Sequence, residues 1–203
     1  HVLQVADALI TTQGSKTLST LYRSIVDNPD PKNAADTFRL APWTADDIRL
    51  SLRPFLVQLA LSLVQMLPKQ PAIYLSLDDS LTEKDRHSTR LQWVDWNIDL
   101  KRSFPGKPPV FTKGTVYVLL RLHIGPVSFT IDIRPYLREK TVRRLNRHLR
   151  GADRLKFRGK IKLAQLILED HPAFPAEDAP VCLLMDSWYA AKFLLKWCHQ
   201  QDW

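Results

Sequence analysis

The chain has 203 residues, of which 45% are hydrophobic and 25% charged, the proportions of an ordinary globular protein with one domain and a smaller appendage. Its formal net charge of +8 favours a polyanionic partner, nucleic acid or an anionic membrane surface, although a merely soluble basic protein fits the same number. Membrane spanning is excluded, because the longest apolar stretch, Phe55 to Leu67, is interrupted by Gln58, Ser62 and Gln65 and is too short.

No basic start or clean apolar run opens the chain, so no signal peptide is expected. Cys182 and Cys198 form neither a disulfide framework nor a metal-ligand pair; Cys182 reads as a packed thiol, and a reducing cytoplasm is the simplest setting. The start at His1 and the end at Trp203, inside a predicted helix, lead us to expect a segment cut at both ends.

The first part, residues 1–69, reads as a small all-helical region. Val2 to Ile10 is apolar enough for a helix, with Gly14 as a stop. Thr17 to Val26 places Leu18, Leu21, Tyr22 and Ile25 at helical spacing, and Asn28 to Pro31 breaks it. Thr44 with Asp47 resembles a capping box before a long apolar-periodic helix that Pro54 is expected to kink or restart. Short helices bearing Lys16, Arg23, Arg39, Arg49 and Arg53 suit a helix-turn-helix DNA-binding module; a simple helical packing layer is the alternative.

After Pro68 to Pro71 the period changes to that of strands, and residues 70–203 read as α/β. Ala72 to Leu77 is a short apolar strand ending at Asp78, Asp79 and Ser80, followed by a polar stretch through Pro109 too irregular to assign. Val116, Val118, Leu120, Leu122 and Ile124 alternate on one strand, and Val127, Phe129, Ile131 and Ile133 on the next. Gly125 and Pro126 between them mark a hairpin. A densely basic run leads into a helix from about Asp153 to Glu169, with Phe157, Ile161, Ala164 and Leu168 on its apolar stripe. Val181 to Met185 reads as a central, doubly covered strand beside the first, and Trp188 to Trp197 as a helix.

Two features share one design, an apolar strand that ends in a carboxylate: Leu77 into Asp78 and Asp79, and Met185 into Asp186. Neighbouring central strands would deliver these acids to one point at the sheet edge, where open α/β sheets bind ligands. Repelling carboxylates suit a hard divalent ion, Mg²⁺ or Mn²⁺, and a pair of such ions supports phosphoryl transfer. An Asp after a strand is also a common helix cap or turn residue, and spacing alone leaves both readings open.

Leu75 to Ser80, then Pro126 and Val127, then Leu184, Met185, Asp186, Ser187, Trp188 and Tyr189 resemble the core of DDE transposases of bacterial insertion sequences. Gly14 to Ser19 and Ala41 to Thr44 resemble the amino-terminal part of the same proteins. The resemblance implies a ribonuclease-H-like mixed sheet flanked by helices, in which two Asp and one Glu hold two Mg²⁺ or Mn²⁺ ions. The first Asp falls on Asp78 or Asp79, with Asp78 preferred because Ser80 follows two residues later, and the second on Asp186; the Glu should lie beyond Trp203. Tyr136, Leu137, Arg138, Glu139 and Lys140 look like a compressed Tyr-Arg-Glu-Lys signature, but they lie between the two Asp positions and read as a basic surface element.

The resemblance further implies cutting at transposon ends and joining of the freed 3′-hydroxyl to target DNA. The partners are then duplex DNA carrying terminal inverted repeats and a target duplex, with a homodimer on DNA admitted. From the residues themselves, Arg138, Lys140, Arg143, Arg144, Arg147, Arg150, Arg154, Lys156, Arg158 and Lys160 are candidate phosphate contacts. Trp93 and Trp96 are candidate stacking residues, and Trp188, beside a strand end, is expected to pack in the core. The alternatives are a catalytically incomplete DNA-binding remnant and a ribonuclease-H-like nuclease of another pathway.

Overall fold

The computed structural model describes residues 8, 11–13, 18–25, 36, 40, 42, 44–67, 72–88, 91, 93–171 and 179–201. They belong to two compact units, His1–Ile48 and Arg49–Trp203. In the first, helix α1 (Leu18–Ser24) buries Leu21, which packs with Ala8 and Ile25, and Tyr22 is buried beside it in sequence. Most of the segment from Val2 to Ile10, and Lys16 with it, lies outside the described residues.

Helix α2 (Ala45–Met66) starts where the sequence places it. Asp47 Oδ2 accepts the Thr44 N–H at 2.6 Å, while Thr44 Oγ accepts the Asp47 N–H at 3.2 Å. This reciprocal pair satisfies orphan donors of the first turn, with Asp in place of the usual Glu. The Thr44 bonds, backbone first, hold the Asp47 carboxyl below its ordinary value. The helix runs without a break through Pro54, so of the expected kink or restart the restart does not occur.

The second unit is a mixed sheet of five strands: β1 (Ile73–Glu83), β2 (Asp95–Ile98), β3 (Phe111–Ile124), β4 (Val127–Tyr136) and β5 (Val181–Met185). β1 pairs antiparallel with β3 on one side and parallel with β5 on the other. β2 takes Phe111 to Gly114 of β3, and β4 takes the rest of the same edge. Helices α3 (Glu139–Leu145), α4 (Lys160–Asp170) and α5 (Lys192–Gln200) complete the chain.

Period two on β1 and β3 turns Ile73, Leu75, Leu77, Val118, Leu120, Leu122 and Ile124 to one face. Ala60 and Val64 of α2, Leu163, Ala164, Ile167 and Leu168 of α4, and Leu194 of α5 cover that face. At roughly 25 cal/mol per Å² of apolar surface removed from water, this layer is the main stabilising term. The other face leaves Tyr74, Leu184 and Ile133 exposed.

Several sequence expectations are corrected. β1 does not stop at Leu77 but continues to Glu83, because long β3 offers it backbone partners as far as Gly114, so Asp78 and Asp79 are mid-strand residues. Gly114 permits that pairing, since a Cβ there would sit 2.4 Å from the Thr82 carbonyl oxygen. The stretch left unassigned contains β2. β5 is an edge strand among the described residues, with Leu184 half exposed, and not doubly covered.

An irregularity between Leu120 and Arg121 in the hairpin register puts one extra residue on β4. Ile131 and Asp132 are therefore both buried, and Ile133 is turned out. The helix expected from Asp153 begins at Lys160, leaving Phe157 exposed, and the helix expected from Trp188 begins at Lys192. Among the described residues no helix is long and apolar enough to cross a membrane.

Candidate active site at the β1–β5 seam

Adjacent residues of a strand point to opposite faces, so Asp78 and Asp79 cannot serve one centre equally. Asp79 shares the face of Leu75 and Leu77. There its Oδ1 accepts the Tyr189 hydroxyl at 3.0 Å and its Oδ2 accepts the Lys160 ammonium at 2.7 Å. Tyr189 is buried in the core, and Lys160, the first residue of α4, also lies over the Tyr136 ring. Asp79 thus ties β1 to α4 and to the turn after β5. Lys160, expected to contact phosphate, is committed to this pair.

Asp78 points to the open face, is exposed, and accepts only the neighbouring Asp79 N–H, at 2.7 Å, among the bonds of the described residues. The last register pair of β1 and β5 is Leu77 with Met185, so Asp78 and Asp186 follow at one level on adjacent parallel strands. Asp186 does act as a turn residue: its Oδ1 accepts the N–H groups of Trp188 and Tyr189 at 3.0 and 3.2 Å. Both bonds use the same oxygen, so Oδ2 takes no part in that turn.

The Tyr189 hydroxyl bonds Asp79 alone but feels the charge of all three carboxylates. Burial raises the Tyr189 hydroxyl far above its ordinary value, and Asp79, then Asp78, then Asp186 raise it further by their charge. Tyr189 therefore stays a neutral donor at every working pH. Trp188, expected in the core, is 66% exposed; the turn set by Asp186 buries Tyr189 in its place. Cys198 is buried, which raises its thiol, while Cys182 is half-buried; both are free. Among the described residues, no three His, Cys, Asp or Glu side chains are grouped so as to hold a metal ion.

The basic run is not one helical face. It comprises α3, a 3₁₀ turn (Gly151–Asp153) and an extended link into α4. Asn146 clamps the excursion, donating to the Leu155 carbonyl and accepting its N–H, both at 2.8 Å. Arg144, Arg147, Arg150, Lys156 and Arg158 are exposed along it. Arg143 is exposed as well but bonds Glu139 one turn earlier at 2.6 Å. Arg138 donates to the Trp96 carbonyl, and Lys140 lies 3.4 Å from Asp95. Arg23, in the first unit, is exposed.

Arg49 and Arg53, expected on a DNA-binding surface, turn inward. With Arg134 they surround Asp132 and Asp170, and His171 Nε2 lies 3.2 Å from the fully buried Asp132. Burial pushes the Asp132 carboxyl up, but the His171 hydrogen bond and the Arg134 charge outweigh it and hold the group below its ordinary value. Nothing in local sequence marks this cluster; the one usable signal is Asp132 beside the apolar positions of a strand. Comparison with family models, with curated proteins and with solved structures finds no match for this chain.

Proposed function

We propose that the chain is the ribonuclease-H-like core of a DDE transposase, which cuts DNA at transposon ends and joins the 3′-ends to target DNA. The observation that carries this reading is that Asp78, exposed on the face of β1 opposite the core, stands level with exposed Asp186, the first residue after the adjacent parallel strand β5. A mixed sheet with its helices on the opposite face is compatible with that fold.

Two solvent-facing carboxylates with hard oxygen donors fit Mg²⁺ or Mn²⁺, ions that keep several waters and need few protein ligands. Such an ion, when bound, supplies activation of the attacking hydroxyl and charge neutralisation at a scissile phosphate. The chain's own contributions are separate. Asp79, Lys160 and Tyr189 fix the strand that presents Asp78, and the exposed arginines from Arg144 to Arg158 hold the phosphate backbone.

A second reading is DNA binding without cutting, for which the exposed basic residues from Arg144 to Arg158 suffice. Calorimetry with Mn²⁺, paired with nicking of plasmid DNA in Mg²⁺, separates the two. The transposase reading expects Mn²⁺ binding that is lost in Asp78→Ala and Asp186→Ala and retained in Asp79→Ala, with metal-dependent nicking only where the third acid expected beyond Trp203 is supplied. Duplex binding without Mn²⁺ binding selects the second reading, and equal Mn²⁺ binding by all three variants removes the proposed centre.

A further inference from the structure

We infer that the groove beside β2 binds single-stranded DNA, stacking its bases on Trp96 and Phe111; the choice of DNA rests on the transposase reading. In the β2–β3 register Trp96 lies opposite Lys113, and Ile98 opposite Phe111. Trp96 and Phe111 are therefore diagonal neighbours on one face, with Lys113 and Ile98 at the other two corners, and both rings are solvent-exposed, at 40% and 48%. Exposed aromatic rings at this spacing offer π-faces to successive bases.

The groove they line has a volume of about 410 Å³, within the roughly 300–1,000 Å³ of small-molecule sites. Its walls carry Lys84, Arg86, Arg102 and Lys113 against two acids, Glu83 and Asp85. Glu83 is answered by Arg102 at 3.0 Å, so the remaining charge is cationic and suits a phosphodiester chain more than an apolar protein segment.

The platform is also held in place. Arg138 bonds the Trp96 carbonyl, the Trp96 N–H bonds Asp95 at 2.7 Å, and Thr141 donates to Asp95 at 2.5 Å. The Lys113 ammonium donates to the Arg86 carbonyl at 2.8 Å. A backbone fixed in this way lowers the ordering cost of binding.

Its location relates it to the acid site. Asp78 pairs with Leu119, and Leu119, Tyr117, Thr115 and Lys113 alternate onto one face, so Trp96 opens on the same side of the sheet as Asp78. From Asp78 to the level of Lys84 the strand advances six residues, about 20 Å at ~3.3 Å per residue. A strand leaving the acid site along β1 would meet the aromatic pair a few nucleotides later.

The test is fluorescence anisotropy of the full chain with an oligothymidylate of about twelve nucleotides, inside the ~4–16 typical of stacking folds. Trp96→Ala and Phe111→Ala should each weaken binding by about five-fold to a hundred-fold, and Trp96→Tyr should restore most of it. Lys84→Gln should lower the salt slope by about 0.7. Unchanged affinity in Trp96→Ala and Phe111→Ala overturns the proposal, as does tighter binding of oligouridylate than of oligothymidylate. Failure of the groove beside Mn²⁺ binding that depends on Asp78 and Asp186 leaves the transposase reading standing. Loss of oligothymidylate binding in Trp96→Ala with no Mn²⁺ binding by the wild type keeps the groove and removes that reading.

Discussion

On the proposed reading Asp78 and Asp79, neighbours in sequence, have opposite duties, and their alanine variants should separate stability from metal binding. Asp79→Ala removes the acceptor of a buried tyrosine hydroxyl and the partner of the Lys160 ammonium. An unsatisfied buried hydroxyl costs about 1–3 kcal/mol. The Lys160–Asp79 pair, with side chains 25% and 23% exposed, is partly screened, which limits its loss to about 1 kcal/mol. The two bonds share one carboxylate and so do not add fully; about 3 kcal/mol in total is expected, against a whole-domain stability of about 5–15 kcal/mol. Asp78→Ala, which removes an exposed charge beside other carboxylates, should stay within about 0.5 kcal/mol of wild type. Urea unfolding followed by tryptophan fluorescence reads both values, provided that the slope stays constant. The order should invert in the Mn²⁺ titration. Asp79→Ala as stable as wild type, or Asp78→Ala as destabilised as Asp79→Ala, refutes the division of roles.

Asp132→Ala should cost about 3–5 kcal/mol in the same unfolding assay, because it strands Arg134 and His171 in the interior; a cost below about 1 kcal/mol would mean that Asp170 alone balances the cluster. The same residue predicts a pH effect: its folded carboxyl lies below the unfolded value, so its contribution is complete above the ordinary aspartate value of 3.8 and is lost as pH falls through the lower folded value. Asp132→Asn should therefore flatten the acid limb of the stability curve below pH 3.8, and an unchanged limb would contradict the assignment. Gly114→Val should destabilise by about 2–3 kcal/mol or more in a thermal melt, since its Cβ would press on the Thr82 carbonyl in a paired strand. The double variant Arg147→Gln, Arg150→Gln should reduce the salt slope of duplex binding by about two, uniformly across sequences; a slope equal to that of wild type would take both residues off the phosphate backbone.

What the sequence revealed divides along local and non-local physics. The capping box at Thr44 and Asp47, the alternation of β3 and the turn at Gly125 are decided within a few residues, and each is legible. The end of β1 is not, because whether Asp79 to Glu83 continue as strand depends on β3, more than thirty residues away, offering paired backbone groups up to Gly114. β2 escapes for the same reason: four residues with two exposed aromatic or aliphatic side chains carry little periodicity and depend on the free end of β3. The irregularity after Leu120 shifts the parity of β4, so alternation alone misplaces Ile133 and hides Asp132. Arg49 and Arg53 look like surface cations until Asp132 and Asp170 are brought beneath them from other elements.

The choice between Asp78 and Asp79 was nevertheless open to a parity argument. Leu75 and Leu77 define the core side of β1, and Asp79 continues their parity while Asp78 opposes it. A carboxylate on the core side must find partners or remain costly, and Lys160 and Tyr189 are the partners that this fold brings. The acid on the opposite side needs none, because solvent serves it. The same parity, carried across Leu119, Tyr117, Thr115 and Lys113, brings Trp96 to the side of Asp78. One face of the sheet thus packs against the helices, and the other carries both the exposed Asp78 and the exposed aromatic pair. A polyanion following β1 would meet them in turn.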